Sequence, residues 1–251
     1  MLVHLANRRP INTAGIILAL ALTSSATAQA PDPLVAFAVA VEESKGHLVA
    51  SRELYAVGER GRAALHAAHP VQEIGNRLIG PVKRVDTALA ERLRVALKAP
   101  GGDVEQRVSA GRYSDTVATT FGVLDTALER VVPAPQRADL GFQTRVLATL
   151  IRALVEEYEE GVKDGRVTQV VEYQDAYGFF RRAQVLSRAV DRAARAKNAA
   201  AAQRLQDEMA ILARTFSSVG GPGLTLTVHQ LKKHADSVVI VLQSLGGWPV
   251  G

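Results

Sequence analysis

Residues 33–57 read PLVAFAVAVEESKGHLVASRELYAV. Positions 36, 39, 40, 43, 47, 50, 54 and 57 are Ala, Val, Ala, Glu, His, Ala, Leu and Val, a spacing of three and four that gathers them on one face of an α-helix. Glu43 and His47 sit one turn apart inside this apolar stripe. Burying either without a partner costs on the order of several kcal/mol, so the stretch predicts both a core helix and a partner for its polar pair. Two solutions fit: the carboxylate accepts the imidazole proton, or the two side chains bind a metal ion together from one helix.

The rest of the chain repeats the same period. Helices are expected over about 33–60, 62–69, 70–78, 81–97, 103–131, 134–163, 167–196, 199–217 and 227–245, with breaks at KAPGGD (98–103), VVPAPQ (131–136), KDGR (163–166) and SSVGGPG (217–223). The stretch VVIV at 238–241 has strand-like composition, but Leu231, Ala235, Val238 and Leu242 keep helical spacing. The expected fold is all-α, an antiparallel helical bundle, either single or built from two packed or pseudo-duplicated four-helix units, with a sub-boundary near 98–103.

The N-terminus reads differently. Arg8 and Arg9 precede the apolar run AGIILALAL (14–22), and Ala28-Gln29-Ala30 offers a small-x-small cleavage site. That order describes an export signal over 1–30, with the helical domain spanning 31–251 and a periplasmic or secreted location. The apolar run is about half the length of a membrane crossing, so no membrane span is expected once the signal is removed. Of 30 Lys and Arg residues against 25 Asp and Glu, the signal takes two arginines and no acid; the modest surplus left does not point to nucleic acid. The chain has no cysteine, so apolar burial rather than disulfides must hold an exported fold together.

Further polar residues fall where ligands would. HAAHPVQE (66–73) places His66 and His69 three apart; Pro70 is suited to the first position of a new helix, and Glu73 to that helix's first turn. In the helix expected from 167, Glu172 heads an apolar stripe through Ala176, Phe179, Ala183, Leu186 and Val190, and Asp175 lies near the same face. Pairing of these acids with Arg181 or Arg182 is the structural alternative. If the helix from 33 packs antiparallel to this one, Glu43 and His47 meet Glu172 and Asp175, with His66, His69 and Glu73 closing from the corner. Imidazole and carboxylate donors without sulfur suit iron, copper, zinc or manganese. No Ser/His/Asp arrangement, phosphate-binding glycine loop or HExxH helix is present, so an enzyme, such as a metallohydrolase or redox enzyme, ranks third, behind a non-enzymatic metal-binding protein and a metal-free scaffold.

The stretches GHLVASRELYAVGERGRAALHAAHPVQE (46–73) and EEYEEGVKDGRVTQVVEYQDAYGF (156–179) resemble the imelysin-like group of exported helical proteins, which includes EfeO-type iron-uptake proteins. The group's Gly-x-His-x-x-Glu signature has its nearest counterparts in Gly46-His47 and in His69 with Glu73, one residue farther apart. The resemblance implies a helical bundle handling iron or another transition metal in the cell envelope, in contact with a metal transporter or another envelope protein. The competing expectation is a metal-free interaction or scaffold module with a buried polar network.

Overall fold

The computed structural model describes residues 32–221 and 226–248; the export signal expected at 1–30 lies outside them. Ten helices in the described residues form an antiparallel bundle: α1 (Pro33–Ala56), α2 (Arg60–Gln72), α3 (Gly75–Val85), α4 (Thr87–Glu105), α5 (Ala110–Val131), α6 (Ala134–Ala138), α7 (Leu140–Gly161), α8 (Val170–Ala194), α9 (Ala199–Thr215) and α10 (Val228–Gly246). The KDGR break is a hairpin in which β1 (Val162–Lys163) pairs with β2 (Arg166–Val167). Asp164 and Gly165 both have positive φ there, as a tight Asp-Gly hairpin turn requires.

Helix α1 is the axis of the molecule. Asp32 caps it by accepting from the Leu34 N–H, and Pro33 occupies a first-turn position where its missing donor costs nothing. Every residue from Phe37 to Ser51 is buried, so the helix has no solvent face along that stretch, and the expected single stripe understates its burial. It packs on α2, α3 and α5 on one side and on α7 and α8 on the other. The packing is consistent with two helical sub-units: α4 lies on α2, α3 and α5, while α7, α8, α9 and α10 pack as a second set.

Three prolines depart from the sequence reading. Pro70 lies inside α2 rather than opening a new helix, Pro81 lies inside α3, and α4 continues through Pro100, Gly101 and Gly102 where a loop was expected. Proline in a helix interior costs roughly 3 kcal/mol, and α4 offsets this by burial. Leu93, Leu97, Pro100 and Val104 continue its buried period, and Asp103 accepts a hydrogen bond of 2.5 Å from Thr116 on α5. The helix expected over 81–97 is broken at Asp86, whose carboxylate caps α4 through the Leu89 N–H, and the turn expected at 98–103 comes only after α4, from Gln106. The helix expected over 134–163 is interrupted at Asp139, which caps α7. The VVIV stretch is helical, within α10.

Glycine sets the distance between α1 and α8. A Cβ on Gly178 would lie 2.2 Å from the carbonyl oxygen of Gly46, and one on Gly46 would lie 2.6 Å from the Phe179 ring. Only hydrogen at both positions permits so close a crossing. It places His47, next to Gly46, opposite Asp175, one turn before Gly178.

Candidate metal centre

At this crossing α1 supplies His47, α2 supplies His66 and His69, and α8 supplies Asp175. One potential ligand atom from each lies within 4.8 Å of all the others. The Asp175 carboxylate is the hub. Its Oδ1 is 2.5 Å from His47 Nδ1 and 2.8 Å from His66 Nδ1, and its Oδ2 is 3.1 Å from His69 Nδ1. His47, His66 and Asp175 are buried and His69 is largely so. The His47 ring also meets Phe179 edge-on at 5.0 Å, which fixes its plane.

Burial opposes the charge on Asp175, but the charge of His47 and the hydrogen bonds from His47, His66 and His69 outweigh it. Its carboxyl is held well below the usual range. His69 moves the other way: burial lowers its pKa, while the bond to Asp175 and the charges of Asp175, Glu73 and Glu172 overcome that and raise it.

The second ring nitrogens differ in their surroundings. His66 Nε2 is 2.9 Å from Gln174 Oε1, while the amide nitrogen of Gln174 donates to the Val219 carbonyl at 3.3 Å. The Nε2 atoms of His47 and His69 face Glu73 instead, at 4.0 Å and 3.8 Å from its two carboxylate oxygens. Glu73 is the C-cap residue of α2 and its side chain is 56% exposed. Beside Asp175 lie Glu172 of α8 and Glu157 of α7, both half-buried, which with Asp175 form a second close group of carboxylates. Burial, the charges of Asp175, Glu172 and Glu160, and the hydrogen bond with Glu172 push Glu157 up to about 8.

The structure thus joins six of the seven residues singled out in the sequence: His47, His66, His69, Asp175, Glu73 and Glu172. Glu43 is the exception. It neither pairs with His47 nor faces the cluster, because Arg77 of α3 donates to its Oε2 at 2.7 Å. Arg181 and Arg182 do not serve the cluster either: they pair with Glu53 and Glu42. Sequence reasoning missed Glu157 and Gln174. Glu157 lies at the edge of the Leu147, Ile151, Leu154, Tyr158 stripe and Gln174 on the mixed side of α8, where a helical wheel assigns no environment. Away from the cluster, His234 of α10 lies 2.7 Å from Glu208 Oε2 of α9 and links the two helices.

The donor set fits a borderline transition cation: imidazole nitrogens and carboxylate oxygens, no thiolate, and two imidazole nitrogens that face an acid beyond hydrogen-bonding distance. Among the described residues, no helix is long and apolar enough to cross a membrane. No curated protein and no solved structure matches the chain. Residues 133–247 match the family model of the iron permease-associated 4-helix bundle domain. The matched span begins just before α6 and ends just past α10, so it covers the second sub-unit, with Glu157, Glu172, Gln174 and Asp175 but none of the three clustered histidines. About half of the chain is therefore similar to an iron-related helical bundle, and the imidazoles reach the site from the half outside that similarity.

Proposed function

We propose that this protein binds a transition-metal cation, iron foremost and copper or zinc as competitors, as cargo in the cell envelope, passing it to or sensing it for a metal transporter. The observation that carries this reading is the convergence of three imidazoles and an ionised aspartate, from three separate helices, at the buried crossing of α1 and α8. The similarity of residues 133–247 to a domain described by its association with an iron permease supports iron as the cargo and a permease as the partner. The export signal read from residues 1–30 and the imelysin-like stretches support the envelope location and an EfeO-like role.

The test is elemental analysis and calorimetry on the purified protein, stripped of metal and then offered Fe(II), Cu(II), Zn(II) and Mn(II), beside a His47→Ala/His69→Ala double variant. The protein is expected to retain close to one equivalent and the variant far less. Equal, negligible metal in both under every condition refutes the reading.

One observation favours a second reading, a metal-free scaffold. The Asp175 carboxylate already receives three imidazole nitrogens, so the network is satisfied without an ion. On that reading the same double variant loses thermal stability and the parent protein gains none from any cation.

A further inference from the structure

The second sub-unit carries opposite charge at its two ends. Residues 156–164, where α7 runs into the hairpin, hold Glu156, Glu157, Glu159, Glu160 and Asp164 against Lys163 alone. Residues 185–204, around the turn from α8 to α9, hold Arg188, Arg192, Arg195, Lys197 and Arg204 against Asp191 alone. Helix α8 separates the two: from Asp175 to Arg195 it advances roughly 30 Å at about 1.5 Å per residue. The Asp175 cluster therefore belongs to the acidic end.

The chain does not neutralise the basic end. Arg195 pairs with Asp191 at 2.7 Å, but no carboxylate among the described residues pairs with Arg188, Arg192, Lys197 or Arg204. Val185, Arg188, Arg192 and Arg195 follow one another at three and four residues, so they share one face of α8, and all four are exposed, Val185 to 47%. Basic residues in the last turn of a helix answer its terminal dipole. That accounts for Arg192 and Arg195, but not for Arg188, which precedes the last turn, or for Arg204, which belongs to α9. Helix α10 finishes at this end too, beside the start of α7: Trp248, partly exposed, donates its ring N–H to Thr144 Oγ1 at 2.9 Å.

We propose that this end of the bundle docks on an anionic phospholipid surface. Guanidinium groups bind phosphate oxygens through paired hydrogen bonds, and unpaired ones set along an exposed helix edge match a plane of phosphates. Val185 and Trp248 supply apolar and aromatic surface at the same end, and tryptophan favours the membrane–water interface. The acidic end is repelled by the same surface, so the bundle docks one way up and holds the Asp175 cluster roughly 30 Å along α8 from the phosphates. Docking of this kind needs no bound metal, so its failure leaves the metal centre untouched.

The test is co-sedimentation of the full chain with vesicles of phosphatidylcholine alone and of phosphatidylcholine mixed equally with phosphatidylglycerol. The apolar run at 14–22 favours both compositions alike, so the difference between them is the readout. Each basic residue at an anionic surface contributes about fivefold in binding, so Arg188→Gln/Arg192→Gln/Lys197→Gln is expected to lose about 100-fold on the anionic vesicles. Lys83→Gln/Arg84→Gln/Arg94→Gln removes the same charge from exposed positions of α3 and α4 and is expected to stay within about threefold of the parent. Circular dichroism checks that both variants keep the fold. Equal losses in the two variants would trace the attraction to net charge and overturn the docking surface; so would parent binding that ignores phosphatidylglycerol. Because the chain has no cysteine, a polarity-sensitive fluorophore on Val185→Cys or on Glu160→Cys reports from one place. A blue shift on anionic vesicles is expected at Val185 and not at Glu160, and the reverse pattern overturns the orientation.

Discussion

Gly178→Ala tests the crossing on which the site is built. The added Cβ would lie 2.2 Å from the Gly46 carbonyl oxygen and 2.7 Å from its carbon, whereas ordinary contact begins at 3.4 Å. Helices α1 and α8 must therefore part by about 1.2 Å, and because the obstacle is backbone, no rotamer change relieves it. Overpacking of this kind costs about 1–3 kcal/mol, here at the upper end. Alanine's better helix propensity returns up to about 1 kcal/mol. The net loss is about 2 kcal/mol, or about 4–8 °C in Tm for a domain of this size. The same parting lengthens the 2.5 Å bond between His47 and Asp175, so affinity for a cation falls with stability. Gly102→Ala in α4 and Gly122→Ala in α5 are the controls. An added Cβ meets nothing within 4 Å at either, and the substitution is expected to stabilise by about 0.4–1 kcal/mol. Urea denaturation followed by circular dichroism measures all three. If Gly178→Ala is as stable as Gly122→Ala, the close approach of α1 and α8 is not real, and the placement of His47 against Asp175 goes with it.

Other consequences can be checked separately. Arg182→Met removes the 2.7 Å partner of Glu42, whose side chain is almost wholly buried; a loss of about 3 kcal/mol in urea denaturation is expected, and a loss below about 1 kcal/mol would mean that Lys45 alone neutralises Glu42. Zn(II) at a hundred times its Kd should stabilise the protein by about 2.7 kcal/mol, raising Tm by about 5–10 °C, and a chelator should abolish the gain; an unchanged Tm would contradict specific binding to the native state. Burial pushes the hydroxyls of Tyr113, Tyr173 and Tyr177 up to about 12, with Glu53 adding to the effect at Tyr177. These folded-state values lie above the unfolded one of about 10, so the tyrosines' contribution is complete below pH 10 and is lost as pH rises toward 12. Tyrosinate absorbance near 295 nm should accordingly appear together with loss of helical ellipticity, and free titration near pH 10 with the fold intact would refute this.

The helical class was legible because period is a local property. Apolar residues three and four apart along α7, α8 and α10 already specify which face turns inward, and the break read at KDGR falls where the structure has its hairpin. What was not legible depends on partners. Pro70, Pro81 and Pro100 read as boundaries because proline ends helices in isolation, and only the packing against neighbouring helices reverses that. The His47–Asp175 contact was anticipated by placing polar residues of two apolar stripes face to face, since burial forces such groups to find one another. Glu43 misled for the opposite reason: α1 is buried on every side, so sharing a face with His47 did not mean sharing a partner, and Arg77 reaches it from α3. Glu157 is half-buried at the margin of its stripe, and its role depends on acids brought near by α8.

The pattern of charge around α1 separates structural neutralisation from the candidate site. Glu42 is met by Arg182 of α8, Glu43 by Arg77 of α3, Lys45 by Asp125 of α5, and Glu53 by Arg181 of α8. Wherever α1 buries an ordinary charge, another helix supplies the permanent opposite one. At Asp175, Glu157 and Glu172 no lysine or arginine among the described residues does so; imidazoles stand on one side and acid faces acid on the other. A scaffold needing only stability has a better solution at hand, since a guanidinium paired to a buried carboxylate does not depend on pH or on an ion, and apolar residues of similar volume often do better still. Carboxylates without a permanent counter-charge, close to three imidazoles, can coordinate a cation. That distinction makes the metal-binding reading stronger than a count of nearby histidines would.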